Sequence, residues 1–576
     1  MRRAINDLMG RPKVATDPVM RELLAVISLP TGRTSSGWPF LAQPAWARLR
    51  DWIPHTFSAG LALWQATSTA EALLGGDAPV DALRVVRQVV RTAVITAPPD
   101  LWLLRHVISS LASEGWLSPL AEGIEAIPGA LEPDITLLMA RGYLVRLGSG
   151  VRWADDPTAR RVLQLPPLPR SRPLDLSQRW AAAFSGERGH DALLSEVLSE
   201  LPEPAAHPPP AWLATPEDLQ LGYLLVPLVL GLRAADRTRA LLASPTLEAP
   251  LAPGPLGAQI SAVLQAAGWL TPDQRWTPLG QRGLERAPGP FGIIETYHPY
   301  LAILPQLWAG GAVPHVQRAQ NVAASQDANR QTFARANDAL DRFCAETGFT
   351  YRVYIEHAVG RGEAIRQRRE RSGDALIYVG ADLELAAIDE ARREAAAGRL
   401  PASVRFVQAD IGEPAALVEA LRREGIDPDG AVMVVGNGFH EVRDQTDERM
   451  VEVFRGYEAA GLVLLFTEES ALSVEDLLHT AWNTYHAGFR YVHERSGQGL
   501  RPASQPPVPG LGPPLRASWT SCAQRAGYVR AHRWCSRSRT IYPYPPANGH
   551  NPSISVNHFF VPTRWAITLG LDPTPE

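Results

Sequence analysis

Two groups of residues in this chain have the types and spacing to do chemistry. The first begins in VYIEHAVGRGEAIRQ, residues Val353–Gln367, where Glu356 is followed by Gly360 and then Gly362. Glycines just after a strand let the backbone approach a ligand, because no side chain blocks the way. Asp382 stands in YVGADLE, twenty positions beyond Gly362; Asp410 stands in FVQADIGEP and Asn437 in GNGFHEV. A carboxylate placed like Asp382 can accept both hydroxyls of a ribose, and one placed like Asp410 can meet an adenine amino group. The second group begins at His440 and Glu441, in the glycine turn after Asn437. Further on, Tyr485 precedes His486, and His479, His486 and His493 recur at seven-residue spacing. Gln498 stands between two glycines in RSGQGLRP. Imidazole, carboxylate and phenol groups can move protons. An imidazole with an amide oxygen can hold a divalent ion.

The first group selects among nucleotides. A dinucleotide asks for G-x-G-x-x-G, with its pyrophosphate on the helix N-terminus. Here Ile365 occupies the third glycine position and Glu363 sits at the mouth of the helix. A negative side chain there repels phosphate, so a nucleoside cofactor without phosphate fits better. S-adenosylmethionine (SAM), with its cationic sulfonium and amino acid, is one. In the second group, the seven-residue period does not spell a zinc site. Zinc pairs on helices are usually four apart, and Gly488 is expected to end the helix before His493.

These residues need a scaffold, and the pattern from Tyr351 onward supplies one. YRVYIE, ALIYVG, SVRFVQ, AVMVVG and GLVLLFT read as strands, alternating with helical runs such as GEAIRQRRER and ELAAIDEARREAAA. Short, continuous apolar strands signal a sheet covered on both faces. The expectation is a doubly wound, Rossmann-like α/β domain over 351–576, with Gly360, Gly362, Asp382, Asp410, Asn437 and His440 in or beside the turns that follow its strands. Residues 287–350 read as a helical linker, whose polar stretch Asn321–Gly348 is expected to lie over the first strand as a lid. Residues 1–170 and 171–286 read as two mainly helical domains. Each has a winged-helix-like element, LLMARGYLVRLGSGVRW and VLQAAGWLTPDQRWTPLGQRGL, here taken as a packing module. The proline clusters LPPLPRSRPL and LPEPAAHPPPAW read as linkers or wrapped loops.

Composition narrows the partners. The formal net charge is −4 over 576 residues, without the basic excess of a nucleic-acid binder. The most apolar run, GYLLVPLVLGL, is about half the length that spans a bilayer and contains Pro227. No signal peptide is visible at the start, and Cys344, Cys522 and Cys535 match neither a disulfide framework nor a zinc ribbon. The expectation is a cytoplasmic protein with no nucleic-acid or membrane partner; a homodimer stays open.

Glu356-x3-Gly360-x-Gly362, with an acid after the second strand and another after the third, resembles a class I SAM-dependent methyltransferase. The resemblance implies that Glu356, Gly360 and Gly362 serve the methionine end of SAM, Asp382 the ribose and Asp410 the adenine, with Asn437 beside them. A second resemblance is carried by GNGFHEVR, FTEESAL, AWNTYHAGFRYVHE and SGQGLRPA, together with APGPFGIIETYHPYLAIL and NPSISVNHFFV. These runs are similar to the iron-dependent C-methyltransferase domain of apratoxin-type polyketide loading modules. That family methylates the α-carbon of a malonyl unit on a carrier protein. The resemblance implies a mononuclear iron or manganese ion on His440 and Gln498, with Glu441, Tyr485 and His486 as bases or supporting partners. A divalent ion chelated by a 1,3-dicarbonyl stabilises the enolate that accepts the methyl. The chain shows no ketosynthase, acyltransferase or carrier-protein serine motif. The expected acceptor is therefore a small carboxylate or dicarbonyl intermediate of natural-product biosynthesis, free or carrier-bound. Two other readings stay open: a metal-free O- or N-methyltransferase with His440 as base, and a SAM-sensing regulator that is not an enzyme.

Overall fold

The computed structural model describes residues 16–33, 39–50, 57–74, 81–203, 213–247, 249–252, 254–313, 319–443, 445–479, 485–503, 516–537, 540–547 and 549–572, with isolated positions nearer the start. The five apolar runs become parallel strands: β1 Val353–His357, β2 Ile377–Asp382, β3 Arg405–Gln408, β4 Val432–Gly436 and β5 Val463–Glu469. β6 Tyr528–Arg530 and β7 Ser555–Pro562 complete the order β3-β2-β1-β4-β5-β7-β6. β7 runs antiparallel to both β5 and β6, and the short strand Ser536–Arg537 pairs beside it. The chain leaves β1 through β2 and β3, then returns to the other side of β1 as β4. Five carboxyl ends therefore share one edge. The order reverses between β1 and β4, the place where such sheets bind ligands.

The central strands β1, β4 and β5 are buried along almost their whole length, because both of their faces are covered, whereas the edge strand β3 is largely open. Alternate residues of β1 go to opposite sides. Ile355 joins Met433, Phe466 and Phe560 under Leu417, Met450, Phe454 and Trp519. Tyr354 joins Val432, Leu465 and Phe559 under Phe333, Leu340 and Phe343. The last three lie on the helix Ala319–Thr347. That helix was expected over the first strand, as a lid; its apolar stripe packs on the sheet there, and Tyr354 donates to Asn337 Oδ1 at 3.1 Å.

The chain divides into two compact units. One comprises residues 1–314, 474–492 and 541–551; the other 315–473, 493–540 and 552–576. The first is mainly helical, with long helices Asp81–Ser113 and Pro216–Ala234. Of the two winged-helix-like segments, one is a helix, Glu132–Ala140, followed by the hairpin Leu144–Leu147 and Gly150–Trp153. The other follows helix Gly254–Ala266 with the bridge Leu270–Trp276, not a paired hairpin. The cluster at 165–174 is described; 204–212 lies outside the described residues. Among the described residues no helix is long and apolar enough to cross a membrane, and the three cysteines are free thiols.

Candidate functional site

The turn after β1 is built from left-handed backbone. Ala358, Gly360 and Gly362 have φ of 56°, 47° and 75°. An alanine in that region is costly, and His357 Nδ1 holds it by accepting the Ala358 N–H at 2.9 Å. A side chain on Gly362 would place Cβ 2.8 Å from Leu400. The helix Glu363–Ser372 follows, and its orphan N–H groups do not face open space. Ile365 N donates to Glu356 Oε2 at 2.8 Å. A carboxylate from the strand thus fills the helix N-terminus where a pyrophosphate would sit in a dinucleotide fold. Ile365, which broke the glycine pattern, is the residue whose N–H is used.

Glu356 is fully buried, and its second oxygen, Oε1, has no partner among the described residues. Burial pushes its carboxyl up to about 8, against the pull of the Ile365 and Ala364 N–H groups. Such an acceptor calls for a donor, best a cationic one. At the end of β2, Asp382 accepts from Gly360 N at 3.4 Å and Glu384 N at 3.1 Å, and burial raises its carboxyl as well. Asp410 follows β3 and accepts the Gly412 N–H at 2.7 Å in a tight turn. Asn437 follows β4 with φ 53°, its N–H bound to Thr467 O at 2.9 Å. Glu363 is buried and pairs with Arg366.

The second group assembles after β4. Phe439–Glu441 form a single 3₁₀ turn. Glu468, near the end of β5 and fully buried, accepts the Phe439 N–H at 2.6 Å and approaches His440 Nδ1 to 2.8 Å. His440 Nε2 lies 3.4 Å from Glu441 Oε1. Gln498 donates its Nε2 to Glu441 Oε2 and accepts from Ser496 Oγ at 2.8 Å. The His493 ring stands edge-on to His440, centroids 4.7 Å apart. Burial lowers the His440 imidazole, but Glu468 and Glu441 outweigh it and hold the group at about 9. Two loops are joined here. Gly499 N donates to His440 O at 3.1 Å, and Arg443 donates to the Ser496 carbonyl.

Structure and sequence differ at several of these residues. Glu468 and His493 escaped the sequence reading as members of this centre. The visible signal was FTEES, two acids closing an apolar strand. Gly488 does not end the helix, which runs from Tyr485 to Arg495 and includes His493. Glycine is needed there for closeness: a Cβ would come within 2.2 Å of Asp100 Oδ1, which accepts the Gly488 N–H at 3.1 Å. His486 is buried on that helix and belongs to the first compact unit, whereas His440 belongs to the second. His479 ends the helix Val474–His479, and the side chains of His479 and Tyr485 lie outside those described. Among the described residues no group of three or more His, Cys, Asp or Glu side chains is arranged to hold a metal. The expected iron or manganese site, on one histidine and one amide, has no fuller ligand cluster behind it among the described residues.

No protein-family model and no curated sequence matches the chain. Solved structures similar to it include methyltransferases. An O-methyltransferase family protein from Burkholderia thailandensis is 17% identical over 53% of this chain and 83% of its own, with a TM-score of 0.31. PigF with SAH is 14% identical over 59% of this chain and 98% of its own, with a TM-score of 0.32. The O-methyltransferase NcsB1 from neocarzinostatin biosynthesis, in complex with SAH and 1,4-dihydroxy-2-naphthoic acid, is 13% identical over 53% and 85%, with a TM-score of 0.29. Likeness this low assigns no activity, which has to be argued from the chain's own geometry.

Proposed function

We propose that the chain is a SAM-dependent methyltransferase. The carrying observation is Glu356. Its carboxylate closes the helix N-terminus to phosphate and keeps one buried oxygen for a cationic donor, at the switch point between β1 and β4. The residues fit SAM. Glu356 would meet the ammonium, the Ala358–Gly362 turn would let the methionine end approach the backbone, Asp382 would take the ribose and Asp410 the adenine edge. When bound, SAM supplies a methyl on a sulfonium leaving group. Calorimetry with SAM and with NAD tests this: SAM binding that weakens at least tenfold in Glu356→Ala, with no NAD binding, supports it. Equal SAM binding by the variant, or preference for NAD, overturns it.

The finer reading is metal-assisted C-methylation of a small carboxylate or dicarbonyl acceptor of natural-product biosynthesis, free or carrier-bound. The donor set suits iron or manganese: an imidazole nitrogen, an amide oxygen and an adjacent carboxylate. His440 Nε2 and Gln498 Oε1 would hold the ion, with the Gln498 amide turned over from its present hydrogen bonds, and the ion would supply Lewis acidity toward the acceptor's oxygens. Glu468 fixes the imidazole through Nδ1 and aims Nε2 at the acceptor side. Glu441, with a third of its side chain exposed, is placed to take the acceptor's proton on Oε1.

A second reading rests on the His440–Glu468 hydrogen bond. A carboxylate behind an imidazole also makes a general base, as a metal-free O- or N-methyltransferase would use. Metal analysis with chelation separates the two. Loss of turnover on stripping and recovery with iron or manganese supports the first; full activity in the stripped protein supports the second.

A further inference from the structure

Arg105 lies on the helix Asp81–Ser113 and is 3% exposed. Its Nε donates to Gln220 Oε1 at 2.9 Å, and Nη2 donates to the Pro166 carbonyl at 2.9 Å. Nη1 is buried with no partner among the described residues. Both groups it does bind are neutral. The acids nearby are committed elsewhere: Glu200 pairs with Arg172 at 2.7 Å, and Glu217 pairs with Arg161. Burial, only partly offset by the field of Glu200, pulls the guanidinium down to about 10. A buried cation is ordinarily paired with an anion, and here none is in contact among the described residues.

Room for one exists. Arg105 and Gln220 line a cavity of about 480 Å³ whose walls include five prolines, Pro166 and Pro202 among them. That volume suits a small organic ligand. Proline rings give a rigid apolar wall that loses little entropy on contact. All lining residues belong to the first compact unit. Leu165, Pro166, Pro167, Pro169 and Pro202, from the two proline clusters read in the sequence as linkers or wrapped loops, line the cavity.

We propose that this cavity binds a small organic carboxylate, its charge on Arg105 and its apolar body against the prolines. This site is independent of the methyl-transfer residues and of the function proposed for them.

The test is a ¹⁹F NMR titration of the full-length protein with 4-fluorobenzoate, using the neutral 4-fluorobenzamide as control. The expected result is saturable benzoate binding, with the benzamide and Arg105→Met each weaker by about tenfold or more. Pro169→Trp, which fills the cavity and keeps the guanidinium, should also abolish binding. Should Arg105→Met fail to fold, the benzamide comparison and Pro169→Trp decide. Equal binding of both probes, benzoate binding undiminished by Pro169→Trp, or no saturable benzoate binding at millimolar probe overturns the proposal.

Discussion

Glu468 holds His440 twice: one carboxylate oxygen lies 2.8 Å from the ring Nδ1, and the other accepts the backbone N–H groups of Phe439 at 2.6 Å and His440 at 3.3 Å. Ring orientation and turn are therefore set by one buried group on the neighbouring strand. Groups that orient a ligating or proton-moving imidazole are typically worth ten- to a hundredfold. Glu468→Gln should lower kcat by about that factor while leaving SAM affinity unchanged. Steady-state kinetics beside calorimetry checks this. A loss confined to SAM affinity would show that Glu468 serves the wrong pocket.

Ligand binding at Glu356 should depend on pH with a definite sign. Its carboxyl sits at about 8 in the folded chain, against 4.5 for the ordinary group. The folded state thus holds the proton more tightly than the unfolded one. Its contribution to stability is full below about 4.5 and is lost as pH rises toward 8. A cationic ligand prefers the ionised form, so SAM affinity should rise with pH and level off above about 8. Glu356→Gln should flatten that profile and, without ligand, be less destabilised than wild type by alkaline pH. Calorimetry and thermal melts across pH 6–9 read both.

The positions of the first group in the fold were legible because its parts are local. Glu356 stands near the end of β1 with Gly360 and Gly362 in the turn after it, Asp382 ends β2, and Asp410 follows β3 by two residues. Strand alternation assigned those acids to one edge as soon as the strands were taken as parallel. The His440 centre was half legible. His440, Glu441 and Gln498 stand in glycine turns, which mark themselves. Glu468 is one of two adjacent acids ending β5, and period-two alternation sends them to opposite faces. Which one points inward depends on register with β4 and β7, which no local pattern encodes. His493 was hidden by Gly488. A glycine that permits close approach and one that stops a helix look identical in sequence.

Gly488 itself can be tested. Its N–H reaches Asp100 Oδ1 at 3.1 Å, and burial raises that carboxyl to about 8 despite the nearby Arg141. A methyl at position 488 must displace the carboxylate. Gly488→Ala should therefore cost about 1–3 kcal/mol, the penalty of an unsatisfied buried polar group. Helix propensity alone would make alanine the better residue by roughly 1 kcal/mol. The two effects have opposite signs, so a urea melt decides. A stabilised variant would show that the Asp100 contact carries no energy.

Arg501 offers the strongest test of how the His440 centre is assembled. Its side chain is fully buried and bonds the loop after β4 at three points: Gln445 Oε1 at 3.1 Å, Asp447 Oδ1 at 2.5 Å and Thr446 O at 2.9 Å. Gln445 in turn donates to the carbonyl of Phe439 at 3.0 Å. The residue stands three positions after Gln498, so this clamp sets the Gln498 loop against the His440 turn. Arg501→Met leaves Gln445 and the Thr446 carbonyl without their donor, while the part-exposed Asp447 keeps the Ala517 N–H, and should cost about 1–3 kcal/mol. Arg501→Lys keeps the charge but not the planar fork, so it cannot bond Gln445, Asp447 and Thr446 together. The lysine variant should recover most of the melting temperature while kcat stays low and SAM affinity stays normal. That split separates positioning from bulk stability. If kcat returns in step with the melting temperature, Arg501 only holds the fold, and the spacing of Gln498 from His440 is set by the backbone bond from Gly499 instead.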